Sequence, residues 1–424
     1  METFLKIFII YNSIILGFLI ILFISFLINL KHFKPVFSYK FNYLYRQTLP
    51  KISVLVPARN ESKNIGKCLT SLLVQDYLNL EIIVLDDNST DNTYNIVKKI
   101  IEDYNSKFPS SQRDNSEIAK ISVKLLPGQP LNDGWVGKNF ACYQLEKAAT
   151  GDYLLFTDAD TIHSPESVSC GLQCLLSNRL DALSVYPEMI LDSFIEKMVI
   201  GFLKFGLLLF LPLYLRNRVK MPLFSMALGS YMFYKRSIYK SIGGHASVYN
   251  RCLEDMNMAN LLKSNGYRFA IFDGYKTYKT RMYNNFTDIY KGFSRFVLTT
   301  FNYRKVPPLV VNIIISILLL LPFLQILIFP FIDSGIISAL NTIPVPLSLV
   351  HGALILNLFQ ISLLLIIKTI YISRFEGNIT DVVLHPVSIG IILLMGIKIF
   401  TGGKKTSSIN WKGREYILNK SNSK

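Results

Sequence analysis

Asp158-Ala159-Asp160 sets two carboxylates two residues apart, directly after the apolar run YLLFT at 153–157. Carboxylates so placed can meet a hard cation, and magnesium or manganese would keep open positions for phosphate oxygens. Such a cation offsets charge growing on a departing nucleotide diphosphate. Alone, the triplet fits a solvated turn equally well; its place after a buried strand is what points to a metal. Asp86-Asp87 forms a second acidic pair, ahead of Asn88-Ser89. A carboxylate at a strand end can accept the imide N–H of uracil. Ser89, Thr90 and Asp91 also cap helices well, so the stretch can serve as a capping turn too.

Gly134-Trp135-Val136-Gly137-Lys138-Asn139 joins two glycines to a lysine at the start of a helix. A helix amino end plus an ammonium suits a diphosphate. The stretch lacks the P-loop pattern, which excludes that kind of ATPase, and it also fits a surface turn with a solvated lysine. Glu254-Asp255 opens an apparent helix closed by Gly266. A carboxylate there could take the proton of an acceptor hydroxyl. Acidic residues in a first turn also simply oppose the helix dipole. Gly243-Gly244-His245 marks a tight loop just upstream, with His245 a loop or acceptor-side residue rather than a metal ligand. A glycoside hydrolase would use paired carboxylates too, but needs no nucleotide-binding strand ends.

The elements that must position these groups can be read from periodicity. Buried strands are expected at 51–57, 81–85, 121–126 and 153–157, with helices starting near Ser62 and covering 92–103 and 139–149. The polar, Pro109-containing stretch 105–120 reads as a loop. Strands alternating with helices imply a mainly parallel sheet with helices on both faces. Such sheets bind ligands at the carboxyl ends of their strands, where both acidic pairs lie.

The chain has 424 residues, 50% hydrophobic and 17% charged, which is too apolar for an ordinary soluble protein. An apolar window from about 4 to 30 holds Lys6 as its only charge and reads as an uncleaved anchor, residues 1–31. Further windows at 309–332, 345–372 and 382–400 make 307–400 a set of C-terminal membrane segments, followed by a basic tail at 401–424. Residues 50–300 between them have the size of one domain. Within it, 194–215 reads as an amphipathic interfacial helix, with a true span as the competing reading.

The net charge of +16 could suit nucleic acid, but the basic residues sit beside the apolar windows. Lys31, Lys34, Lys40, Arg46 and Lys51 follow the first; Arg216, Arg218 and Lys220 follow 202–215; Arg304 and Lys305 precede the next. That favours anionic lipid over nucleic acid, and a cytoplasmic side for the domain. Cys68, Cys142, Cys170, Cys174 and Cys252 form no CxxC pair and read as buried, reduced thiols.

The stretches ISVLVPARNES, IIVLDDNSTDNT, GWVGKNFACYQ, YLLFTDADT, IGGH and LEDMNMA occur in one order over about 50–300. Together they resemble glycosyltransferase family two, inverting nucleotide-sugar enzymes. The resemblance implies an α/β GT-A fold with a Rossmann-like mixed sheet, here joined to transmembrane helices. It also implies roles. Pro57, Ala58, Arg59 and Glu61 would line the nucleotide, Asp87 would contact uracil and Lys138 would approach the diphosphate. Asp158 would hold nucleotide, and Asp160, with Asp158, a divalent cation (Mg2+ or Mn2+). Asp255 would be the general base, with Glu254 beside it. GKNFACYQ, SIGGH, TRMYNNF and NWKGREY further resemble the membrane branch of diaponeurosporenoate (carotenoid acid) glycosyltransferases. Ceramide-type and hopanoid-associated relatives share much of that layout.

Processive synthases of the family carry QxxRW after the base. Here Gly292-Phe293-Ser294-Arg295-Phe296 keeps only the arginine, which weakens a polymer-extruding reading. Arg295 is expected either to clamp the diphosphate or to serve as an interfacial cation. The expected activity is transfer from a UDP-sugar to a lipid in the bilayer, from a multi-pass plasma-membrane enzyme whose domain faces the cytoplasm. The alternatives are a processive polysaccharide synthase and a non-catalytic membrane scaffold. One conflict stands in the topology. The loop 333–343 has no Lys or Arg and belongs outside, and Arg374 returns the chain inside. A complete fourth span would then put Lys404, Lys405, Lys412 and Arg414 outside, against the positive-inside rule. A partial, re-entrant or interfacial segment around Pro386 removes the conflict.

Overall fold

The computed structural model describes residues 2–41, 49–107, 121–215, 226–283, 285–301, 304–327, 347–375, 377–402 and 408–417. Arg46, Arg216, Arg218, Lys220, Lys404 and Lys405, the loop 333–343 and most of the expected loop 105–120 lie outside them. Residues 105–107 belong to a helix, Thr93–Lys107.

Eight strands form one sheet: β1 (Ile52–Ala58), β2 (Leu80–Asp86), β3 (Ile121–Pro127), β4 (Tyr153–Thr157), β5 (Thr161–His163), β6 (Ala182–Met189), β7 (Tyr231–Lys235) and β8 (Phe269–Thr280). Their order is β3-β2-β1-β4-β7-β6-β8-β5. β1 to β4 pair in parallel, as the alternation of elements requires. β7 runs antiparallel between β4 and β6, and β5 antiparallel against β8, so the sheet is mixed.

Alternate residues of the central strands enter different cores. Ile52, Val54 and Val56 pack with Ile65, Leu69 and Leu72 of helix Ile65–Leu73. Leu55, Ile83 and Leu85 pack on the other face with Ala141, Cys142 and Leu145 of helix Gly137–Ala148. Burial on both faces is why these strands read as unbroken apolar runs. Each such side chain contributes roughly 1.5–3 kcal/mol of hydrophobic stabilisation. Four of the five cysteines are buried, as expected; Cys252 is partly exposed.

Two helices are long and apolar enough to cross a membrane, over Lys6–His32 and Ser348–Arg374, with mean hydropathies of 2.8 and 2.1. They pack on each other, and Gln360 donates to the side-chain and main-chain oxygens of Asn12 at 3.1 and 2.8 Å. Ile7, Ile14, Phe18 and Ile21 face outward from the first, and Ile355 and Phe359 from the second. The expected interfacial segment 194–215 is helix Phe194–Phe210, followed by a short turn at Leu213–Leu215. Ser193 and Glu196 form a capping box at its start. Asn29 of the first long helix donates to the carbonyls of Leu208 and Leu211 at 2.7 and 2.6 Å, satisfying its end.

Helix His385–Thr401 has 17 residues, about 25 Å, against a hydrocarbon core of about 30 Å. It lies along helix Phe194–Phe210. The His385 ring centre is 5.6 Å from that of Phe205, and Met395 packs with Val199 and Ile200. Lys398 sits 4.7 Å over the Tyr290 ring of helix Phe286–Thr300. Beyond it, strands Ser408–Trp411 and Arg414–Ile417 pair as a hairpin.

Candidate active site

The carboxyl ends of β1 and β2 meet at residues 57–61 and 86–91. Asp86 accepts the Ser89 N–H at 3.1 Å, so it serves the turn. Asp91 binds the backbone N–H groups of Ser62 and Thr93, at 3.0 Å each. Burial works against its charge, but these bonds hold its carboxyl down at about 2. Asp87 is thereby left for another partner. The acidic stretch thus divides its work, with Asp86 and Asp91 building the loop.

Arg59 braces this loop, its Nη1 donating to the carbonyls of Asp87 and Asn88 at 2.5 and 2.9 Å. Gly128 allows the close fit behind it, since a Cβ there would lie 2.8 Å from the Asp86 carbonyl oxygen. Ala58 behaves differently from expectation. Its side chain belongs to the core, and its carbonyl accepts the Asp87 N–H at 2.8 Å. It contributes backbone alignment rather than a surface for a ligand.

The second half of the site lies around one cleft. Pro57, Lys138, Asp158, Gly229, Glu254 and Asp255 line it. Lys138 is the first residue after Gly137 in its helix, and its ammonium sits between Asp158 Oδ1 at 2.7 Å and Glu254 Oε1 at 2.8 Å. Burial disfavours that charge, yet the two carboxylates hold Lys138 well above its ordinary range. Lys138 therefore joins the end of β4 to the start of helix Glu254–Ser264, rather than standing free for a diphosphate.

Asp255 accepts the Gly229 N–H at 2.8 Å and its neighbour Met256 N–H at 2.8 Å. Burial, then the charge of Glu254, pushes its carboxyl up to about 7. Such a group is poised to exchange a proton near neutral pH. Gly229 leaves room for this pairing: a Cβ would lie 2.9 Å from Lys138 Nζ and 3.0 Å from Glu254 Oε1, so those side-chain ends would have to shift. Asn139 holds the preceding loop, donating to the carbonyls of Val248, Tyr249 and Arg251 at 2.6, 3.3 and 2.9 Å. His245 is buried in the cleft wall, bonded to the Tyr239 hydroxyl at 2.7 Å, and burial lowers it to about 3. It is a neutral wall residue. Arg295, on helix Phe286–Thr300, is close enough for its charge to act on Cys252, in the loop before Glu254, and on Tyr283.

Asp160 follows β4 in the tight turn to β5. Burial, then the charges of Asp158 and Glu61, pushes its carboxyl up to about 7. Excess negative charge in a semi-enclosed turn is a donor set suited to a hard divalent cation, with phosphate oxygens and water completing it. Among the described residues no ready-made group of three or more metal-ligating side chains occurs. A cation here would depend on the two carboxylates and on its ligand.

Asp87, Glu61 and Arg59 also carry contacts from the C-terminal hairpin. Arg414 grips Asp87 with Nη1 at 2.6 Å and Nη2 at 3.1 Å. Lys412 pairs with Glu61, and Arg59 Nε donates to the Lys412 carbonyl at 3.1 Å. Gly229, Asn139, Lys412 and Arg414 are site residues that the sequence did not single out by role. In the sequence, Lys412 and Arg414 stand out in the basic tail as markers of topology and within NWKGREY, but without a place at the site.

The sequence matches the model of glycosyl transferase family 2 over residues 53–115. It is 24% identical over 389 residues to 4,4'-diaponeurosporenoate glycosyltransferase of Staphylococcus aureus strain USA300, covering 87% of this chain and 89% of that one. The fold is similar to a Pyrobaculum calidifontis mannosyltransferase solved with GDP-Man and Mn2+, at 15% identity and TM-score 0.48, covering 92% and 96% of the two chains. It is also similar to residues 1–349 of S. aureus TarS solved with UDP-GlcNAc, at 17% identity and TM-score 0.36, covering 88% and 97%. These two structural likenesses are too distant to assign a ligand. The match over β1 and β2, the relative along most of the chain and a cleft built from the expected acidic residues agree: the chain is a glycosyltransferase, similar over residues 53–115 to glycosyl transferase family 2.

Proposed function

We propose that the chain transfers a sugar, with inversion, from a nucleotide diphosphate-sugar to a hydroxyl or carboxylate of a membrane lipid. UDP is the proposed nucleotide, and a carotenoid acid or hopanoid-like lipid the kind of acceptor. The observation that carries the reading is the convergence of Asp158, Glu254 and Asp255 on one cleft. Asp87, at the end of β2, would accept the base imide, and Pro57, Arg59 and Glu61 would border the nucleotide. Asp158 and Asp160 would hold a divalent cation, which supplies positive charge against the departing diphosphate.

The acceptor oxygen attacks the anomeric carbon opposite the diphosphate. A C–O bond to the acceptor forms, the bond to the diphosphate oxygen breaks, and its electron pair leaves with the diphosphate. When the acceptor is a hydroxyl, its proton passes to Asp255. Lys138 keeps Glu254 and Asp158 in register, and Arg295 acts as a cation beside the Glu254 loop.

The two long apolar helices support a membrane-bound enzyme, and the basic residues beside them a cytoplasmic domain. Helices Phe194–Phe210, Phe286–Thr300 and His385–Thr401 would lie at the interface, where a lipid acceptor could reach the cleft from the bilayer plane. The test incubates membranes with radiolabelled UDP-sugars, Mn2+ and extracted lipids. Label should enter the lipid phase with the wild type and not with Asp160→Ala. Equal labelling by both would sink the reading.

A further inference from the structure

The hairpin at 408–417 rests on the donor end of the site although more than three hundred residues separate it from β1 and β2. Its two-residue turn has Lys412 and Gly413 at φ 49° and 81°, between the paired residues Trp411 and Arg414. Two left-handed residues make the tight turn that twists with its strands and projects a compact tip. That tip carries Lys412 to Glu61 and Arg414 to Asp87.

Charge explains why a cationic tip belongs there. Glu61, Asp87, Asp158 and Asp160 gather at the donor end, and a nucleotide diphosphate would add further negative charge. Lys138 is committed between Asp158 and Glu254. Arg59 is committed to the carbonyls of Asp87, Asn88 and Lys412. Lys412 and Arg414 instead hold Glu61 and Asp87, two carboxylates that would border the nucleotide, from an element outside the sheet. An arginine fork suits a phosphate as well as it suits a carboxylate.

Building on the donor reading above, we propose that the hairpin is a donor lid. Lys412 and Arg414 hold Glu61 and Asp87 until a nucleotide diphosphate-sugar enters, then transfer to its diphosphate and leave Asp87 to the base. The lid would thereby couple donor arrival to closure of the site over the sugar, and its cations would supply charge that the sheet ends lack.

The test measures binding of UDP, GDP and the corresponding nucleosides to the detergent-solubilised full chain, with Mn2+ present. Wild type is compared with Arg414→Ala, Arg414→Lys and Lys412→Ala. The lid predicts that each alanine variant weakens diphosphate binding about tenfold, the strength of one charge-assisted contact. Nucleoside binding should stay unchanged or tighten, because Asp87 is released from its guanidinium. Arg414→Lys should recover part of the loss. Diphosphate binding unchanged or tightened in the alanine variants would overturn the lid. So would an equal weakening of nucleoside and diphosphate, which a merely structural hairpin would give. A wild type that binds no diphosphate would remove the donor reading itself, and the lid with it.

Discussion

As the proposed base, Asp255 is where the electrostatics of the site would bear most directly on rate. Its carboxyl stands at about 7 because it is buried beside Glu254. A base must be ionised to accept a proton, so the protonated form below about 7 is inactive. With a hydroxyl acceptor, kcat/KM should therefore rise with pH up to about 7 and level off above it. A profile flat from pH 5 to 8 would contradict that role. Asp255→Asn should cost about 10²–10⁴-fold in kcat with little change in nucleotide affinity. A carboxylate acceptor has no proton to give up, so with it both effects should shrink; the same two measurements thus report the acceptor's chemistry. Gly229 is the second residue to probe. A methyl at Gly229→Ala would press on Lys138 and Glu254, so activity should fall while the circular dichroism spectrum is kept.

At the scale of elements, the site depends on a joint between helix Gly137–Ala148 and helix Glu254–Ser264. Lys138 ties their first turns, and one residue later Asn139 fastens the loop that delivers Glu254 and Asp255. Asn139→Ala would remove three hydrogen bonds, leaving the Val248 and Tyr249 carbonyls their backbone donors from Arg251 and Val136 but taking the side-chain donor from the Arg251 carbonyl, and should cost about 1–3 kcal/mol, read as a lowered melting temperature. The same substitution should lower kcat more than it raises the donor KM, because β1 and β2 are untouched. An equal loss in both would show that the joint also shapes the donor end. Two adjacent helix positions thus hold the joint together, one with a cation that spans two carboxylates and the other with an amide that spans three carbonyls.

At the scale of the molecule, the hairpin bears on topology. Its contacts with Arg59, Glu61 and Asp87 set residues 408–417 against the catalytic domain. Helix His385–Thr401 is short and lies along helix Phe194–Phe210, so it fits the partial segment that the positive-inside rule called for. A reporter fused after Lys424 should accordingly be active on the same side of the membrane as one inserted in the catalytic domain. Opposite sides would mean that 385–401 crosses fully and that the hairpin contacts do not persist in the bilayer.

Strands β1 to β4 and the acidic residues at their ends were legible in the sequence, because strands buried on both faces are written as unbroken apolar runs. The order YLLFT-Asp-Ala-Asp placed Asp158 and Asp160 correctly for the same reason. The antiparallel strands β5 and β7 were not legible, since their direction depends on which partner they reach across the sheet. Nor were Gly229, Asn139, Lys412 and Arg414. Asn139, Lys412 and Arg414 lie in stretches that carry the resemblance, but their roles, like that of Gly229, come from partners found through space. The sequence alone determined which chemical groups the chain carries: two acidic pairs at strand ends, a lysine at a helix start and two carboxylates opening another helix. Tertiary structure decided how those charges are paired. Lys138 closes on Asp158 and Glu254, and a hairpin more than three hundred residues from β1 closes on Asp87. Long-range charge pairing is set by folded distance, which sequence spacing does not encode.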